Sequence, residues 1–384
     1  GPFGSYLRQL RNAPGKRASG RNRLRSSLRL RHRRLGLAPR FLSGAMVVVE
    51  SEEEFYFDLA DEIEIRLQHW LRTEKAVFMN QRGTGGMRGA ARSQRLPAEA
   101  RDRAVTLLRV LASQYSAASE LPAVLTAFDA LGVKALSQSG GFNEDNPEVQ
   151  HAPALSLGTL TSPTMLAAVV RVVLKGRMCS IDLSVDNLAS AALTQYMMVE
   201  GEEEGLKSSL VGYSEAVVFE VLDGRSQIAS SPEWARQILT RLNAMAQPPG
   251  RLSWELQNSV LPSVNSWADL FTERVAATVT LPPHALALGA CVLGLTATGL
   301  LLPAEACPSD LPSEAWEQSL VGMLERSRSE RAQEESQAEV TLHDLAEAAL
   351  CDEEGFRRSA FSAIATLQMS LMEVTHPAIL SAIH

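Results

Sequence analysis

Residues 285–302 of this 384-residue chain carry no charge, and they are bracketed by Pro282-Pro283 and Pro303. A helix of that composition has no polar face to turn to water, so it must be enclosed by other helices or by lipid. Eighteen uncharged residues meet the lower limit for a membrane span of about 18. Several features point away from lipid: the stretch is diluted by Ala, Gly and Thr and lacks basic or aromatic flanks. Its glycines at 289, 294 and 299 are five apart, so they do not share a helix face as a GxxxG seam would. The stretch reads as a core helix of a larger fold, with membrane embedding as the borderline alternative.

The rest of the body reads as helix after helix. Tyr56, Ala60, Ile63, Leu67, Trp70 and Leu71 recur at 3–4 spacing behind an acidic first turn. Pro97 opens a second helix with Ala104, Leu107, Leu108, Leu111 and Tyr115 on one face. A third runs from Leu121 and is expected to stop near Gly132. Residues 137–162, rich in Gly, Asn and Pro, are expected to form a linker. Ser162-Pro163 announces the next helix, and Ser231-Pro232-Glu233-Trp234 a later one closed by Pro248-Pro249-Gly250. Further helices are expected at 187–199, 206–222, 266–277, 313–331, 341–351 and 356–373, with a short strand as an alternative at 177–185. The fold class is therefore all-α, an irregular helical array or α-solenoid of about ten helices. Its expected divisions are an arm (1–45), a helical part (46–136), the linker and a C-terminal array (163–384).

Charge is distributed unevenly. Residues 1–45 hold Lys16 and eleven arginines with no acid, whereas the other 339 residues hold 25 basic and 44 acidic groups. A net charge of −7 thus combines an arm at +12 with a body at −19. Three readings of the arm stay open. Arginine, serine and leucine without acids are the composition of an organelle transit peptide, which implies a mitochondrial or other organellar destination. An arginine-rich arm can also lie along a phosphate backbone. Finally, the first Met is Met46, so a purification scar at Gly1–Ser5 or translated upstream sequence would explain the opening. Without an organellar signal the expected compartment is cytoplasmic or nuclear. Arginine outnumbers lysine 32 to 5 throughout, which weakens arginine richness as evidence for phosphate recognition.

The segment from Leu345 to Ile364 resembles a HEAT-repeat unit, of the HEAT/armadillo type of helical repeat. Asp352 takes the place of the turn aspartate, Phe356-Arg357 that of the hydrophobic–arginine pair, and Ala360 and Ala363 those of the small stacking residues. The turn is one residue shorter than usual, Phe stands where Val is common, and no second copy recurs at a 40-residue period. The resemblance implies an α-solenoid that presents extended surfaces to partners.

No set of residues forms a convincing catalytic constellation. Gly83-Thr84-Gly85-Gly86-Met87-Arg88-Gly89 follows a helix, has GxGxxxG spacing and lacks a closing Lys-Ser/Thr pair, so it is not a nucleotide loop. Gly212-Tyr213-Ser214-Glu215-Ala216 approximates a nucleophile elbow, with Asp223 and His284 or His343 in hydrolase order. Ser214 nonetheless lies within a helical apolar pattern. The seven histidines are scattered, and four cysteines in no CxxC pair exclude a zinc ribbon and a disulfide scaffold. They read as small buried hydrophobes. No cofactor or metal is expected.

The resulting expectation is a non-enzymatic scaffold or adaptor, a subunit of a larger protein assembly, with a surface groove and no deep polar pocket. The alternative is a nucleic-acid-associated protein of an organellar ribonucleoprotein. Its candidate phosphate or RNA contacts are Arg21, Arg23, Arg25, Arg29, Arg31, Arg33, Arg34, Arg82, Arg88 and Arg92.

Overall fold

The computed structural model describes residues 52–79, 96–139, 155–178, 208–225, 227–275, 281–301 and 340–370. By internal contacts the chain divides into residues 1–50 and 51–384, and all described residues belong to the second unit. Every regular element among them is helical, so the fold is all-α. The expected helices at 187–199 and 313–331, and the strand alternative beyond Met178, lie outside the described residues, as do 1–45 and the Gly/Arg loop.

Helix α1 (Glu52–Glu74) continues into a wide π turn, Lys75–Met79. Then come α2 (Ala98–Gln114), a 3-10 turn (Ala118–Glu120), α3 (Leu121–Ser139), the short α4 (Leu157–Leu160), α5 (Pro163–Arg177) and α6 (Ser208–Val221). The C-terminal half contains α7 (Ser231–Met245), α8 (Leu261–Leu270), α9 (Pro283–Ala297), α10 (Leu342–Ala348) and α11 (Glu353–Ser370).

Capping explains several starts. Ser162 Oγ accepts from the Met165 N–H at 3.3 Å ahead of Pro163, as the sequence indicates. At α7 the cap is Ser230, one residue before the expected start. The Ser230 N–H and hydroxyl both donate to Glu233 Oε2 at 2.8 Å.

Two expectations about boundaries are corrected. Gly132 does not end α3, which continues to Ser139; a Cβ at Gly132 would stand 2.9 Å from Leu96 Cδ1, so the glycine serves packing. The helix expected at 266–277 begins at Ser253. It runs through a π turn (Leu256–Val260), α8 and a second π turn (Phe271–Val275). In the interior of a regular helix Pro262 would forbid that course, because proline cannot donate to the preceding turn. It sits in the first turn of α8, directly after the π turn has already interrupted the regular bonding ladder.

The apolar faces form two cores. One gathers α2, α3, α5 and α6 around Leu107, Leu108, Phe128, Val170 and Val218. The other gathers α7, α8, α10 and α11 around α9, with Trp234, Phe271, Leu345 and Phe356. Helix α1 contributes to both, Ile63 and Leu67 to the second and Val77 of its π turn to the first. Helix α1 therefore packs on α7, over 150 residues further along the chain. A solenoid restricts each unit to its chain neighbours, so this is an irregular array, and the helix order supports no repeat period.

Helix α9 is the uncharged stretch, and every residue from Ala285 to Ala297 is buried. Among the described residues no helix is long and apolar enough to cross a membrane. Its glycines have separate jobs, which is why they do not share a face. A Cβ on Gly289 would meet Ala363 Cβ and Phe271 Cζ at 3.0 Å, and one on Gly294 would stand 2.2 Å from Val264 Cγ2. Gly299 has φ +78° and ends the helix, with Leu300 N donating to the Leu295 carbonyl at 3.0 Å.

The segment that resembles a HEAT unit forms a helix–turn–helix, α10 to α11. Asp352 caps α11, accepting from Gly355 N at 3.4 Å, and Phe356, Ala360 and Ala363 are buried.

Candidate functional site

The seam between the two cores is closed by buried arginines. Arg101 lies on α2 and is 1% exposed. Its Nε and Nη2 donate to the two carboxylate oxygens of Asp129 on α3, each at 2.8 Å. The same guanidinium crosses to the other core, donating from Nη1 to the Glu273 carbonyl and from Nη2 to the Thr272 carbonyl, both at 2.9 Å. Both carbonyls belong to the π turn that follows α8, so one side chain of α2 ties down the backbone of that turn. Burial opposes its charge, but Asp129 more than compensates, so its pKa stands above the ordinary arginine value.

Arg177, at the end of α5, makes the second crossing. It donates to both oxygens of Glu233 on α7, at 2.6 and 2.8 Å, and to the Ile228 carbonyl at 3.2 Å. Glu233 thus caps α7 and receives a fork from α5. Burial alone would raise its pKa; the hydrogen bond from Arg177 outweighs that and holds it below the ordinary carboxylate value. A third arginine, Arg241, acts within the second core, donating to Glu64 Oε2 of α1 at 2.9 Å and to the Glu347 carbonyl of α10. Only a planar fork makes such paired bonds, which gives the 32-to-5 excess of arginine over lysine a structural use in the body.

Beside Arg101, the seam opens into a cavity of about 260 Å³. Its lining includes Leu121, Pro122 and Leu125 from α3, Arg236 from α7, and Asn265, Asp269 and Glu273 from α8 and its π turn. Glu273 Oε1 accepts from Arg109 Nη2 at 2.7 Å. Asp269 is exposed and makes no ion pair among the described residues; partial desolvation, followed by the neighbouring Glu273 charge, raises its pKa. Asn265 Oδ1 is buried without a hydrogen-bond partner. Polar side chains of α8 thus line a gap where the two cores part. Its lining includes no histidine, cysteine or lysine.

None of the ten candidate phosphate contacts, Arg21 to Arg34 and Arg82, Arg88 and Arg92, lies within the described residues. Ser214 is buried in the middle of α6, and the described residues directly before it, 208–213, are helical rather than a strand. Asp223 instead pairs with Lys134, and His284 with Glu74. That last pair is part of an aromatic corner, since Trp234 stacks edge-on against Trp70 at 5.2 Å and lies 6.0 Å from the His284 ring. His343 is exposed at the start of α10. Cys291 is buried and Cys351 half-buried; burial pushes their thiols up to about 12 and about 11. Among the described residues no three His, Cys, Asp or Glu side chains gather as a metal site.

Sequence reasoning passed over Arg101, although a signal was present. It falls in register with Ala104, Leu108, Leu111 and Tyr115, so a charge sits on the buried face of α2. A charge in that register requires a buried partner. No comparable signal marks the cavity, which depends on how two distant segments meet.

No protein-family model matches this chain, and neither a curated protein nor a solved structure shows significant similarity to it.

Proposed function

We propose that the chain is a non-enzymatic scaffold or adaptor, a structural subunit that engages other proteins through helical surfaces. The observation that carries this reading is an exposed apolar row winding obliquely along α6. Leu210, Tyr213 and Phe219 are 50%, 69% and 52% exposed, and with Ala216 they recur every third residue. Rows at that spacing form the ridges that pack into grooves of another helix. Single exposed apolar residues are ordinary, but a row on one helix marks an interaction surface. On α1, Phe55, Phe57 and Ile65 are also exposed, without forming a row at that spacing, among exposed Asp58, Asp61 and Glu62. The acidic surroundings of α1 suit a partner with basic residues beside its apolar ones.

The test is quantitative affinity purification from native material, comparing wild type with the variant L210S/Y213S/F219S. A partner held in stoichiometric amount by the wild type and lost by the variant supports the reading. Equal recovery by both overturns it.

The second reading, a nucleic-acid-associated protein of an organellar ribonucleoprotein, rests on the acid-free charge of +12 in residues 1–45. It requires RNA binding that weakens steeply with salt and disappears when residues 1–45 are removed.

A further inference from the structure

We draw no further inference here: the strongest candidate, the exposed apolar row of Leu210, Tyr213, Ala216 and Phe219 on α6, belongs to the surface already described, and nothing in the structure shows what covers it.

Discussion

Arg101 and Asp129 meet as a two-bonded fork across α2 and α3, with both contacts at 2.8 Å. The remaining N–H groups of that arginine reach the Thr272 and Glu273 carbonyls of the other core. One buried side chain therefore closes a helix pair and joins two cores.

Removing it should be costly, because Asp129 and two carbonyls lose their donor together. Arg101→Ala is expected to lower unfolding stability by about 3–5 kcal/mol, the range for breaking a buried ion pair on one side. Arg101→Lys should recover only part of this, since an ammonium cannot make the paired bonds. Urea denaturation of both variants checks the order, and a lysine variant equal to wild type would contradict it.

Glu233 should make the fold sensitive to acid. Its folded pKa lies below the ordinary value, so at low pH the unfolded chain takes up the proton first. The stability it contributes is complete above the ordinary carboxylate pKa of about 4.3. It is lost as pH falls through the lower folded value. Glu233→Gln should be less stable than wild type at neutral pH, and the two urea midpoints should converge as pH drops. A constant gap across that range would contradict the Arg177–Glu233 pairing.

Asp269 should act with the opposite sign. Its folded pKa is raised by partial desolvation and by Glu273, so the contribution of its protonated form is present at low pH and is lost as pH rises through that value. Asp269→Asn should match wild type in acid and gain on it as pH climbs from about 3 towards 7. Thermal unfolding across that range reads the difference directly.

Gly294→Ala should damage the crossing of α8 and α9. The added Cβ would stand 2.2 Å from Val264 Cγ2 and 3.1 Å from the Val264 main-chain nitrogen. Overpacking of this kind costs about 1–3 kcal/mol, and the main-chain contact leaves little room for repacking. Thermal melts of the variant check it; a variant as stable as wild type would contradict the close approach.

The cysteines should resist alkylation in order of burial. With thiols raised to about 12 for Cys291 and about 11 for Cys351, little thiolate is present near pH 8. Iodoacetamide should modify Cys351 slowly and Cys291 only after unfolding.

Much of the helical order could be read from spacing and caps, because Ser162-Pro163 and Ser230 with Glu233 act within a single turn. The uncharged run at 285–302 was legible for a related reason: a helix without a polar face has to be enclosed. The π turns were not. Leu252, Leu256, Val260 and Val264 are four apart, yet the helix expected from the sequence starts only at 266, and no local pattern marks the widened turns. Pro262 lies where the chain changes its bonding pattern, in the first turn of α8. The seam was half legible. Arg101 stands in an apolar register and signals a buried partner, but its acceptors are 28 and about 170 residues away. No local pattern carries information across that distance.

The most direct test of the scaffold account is hydroxyl-radical footprinting of the aromatic side chains on α1 and α6. Phe55, Phe57, Tyr213 and Phe219 are exposed in the isolated chain, so all four should be oxidised when it is purified alone. In the assembly recovered from native material the account expects Tyr213 and Phe219 to be protected, while buried Phe128 and Phe356 stay unreactive in both. Equal oxidation of Tyr213 and Phe219 in the isolated and assembled chain would contradict it.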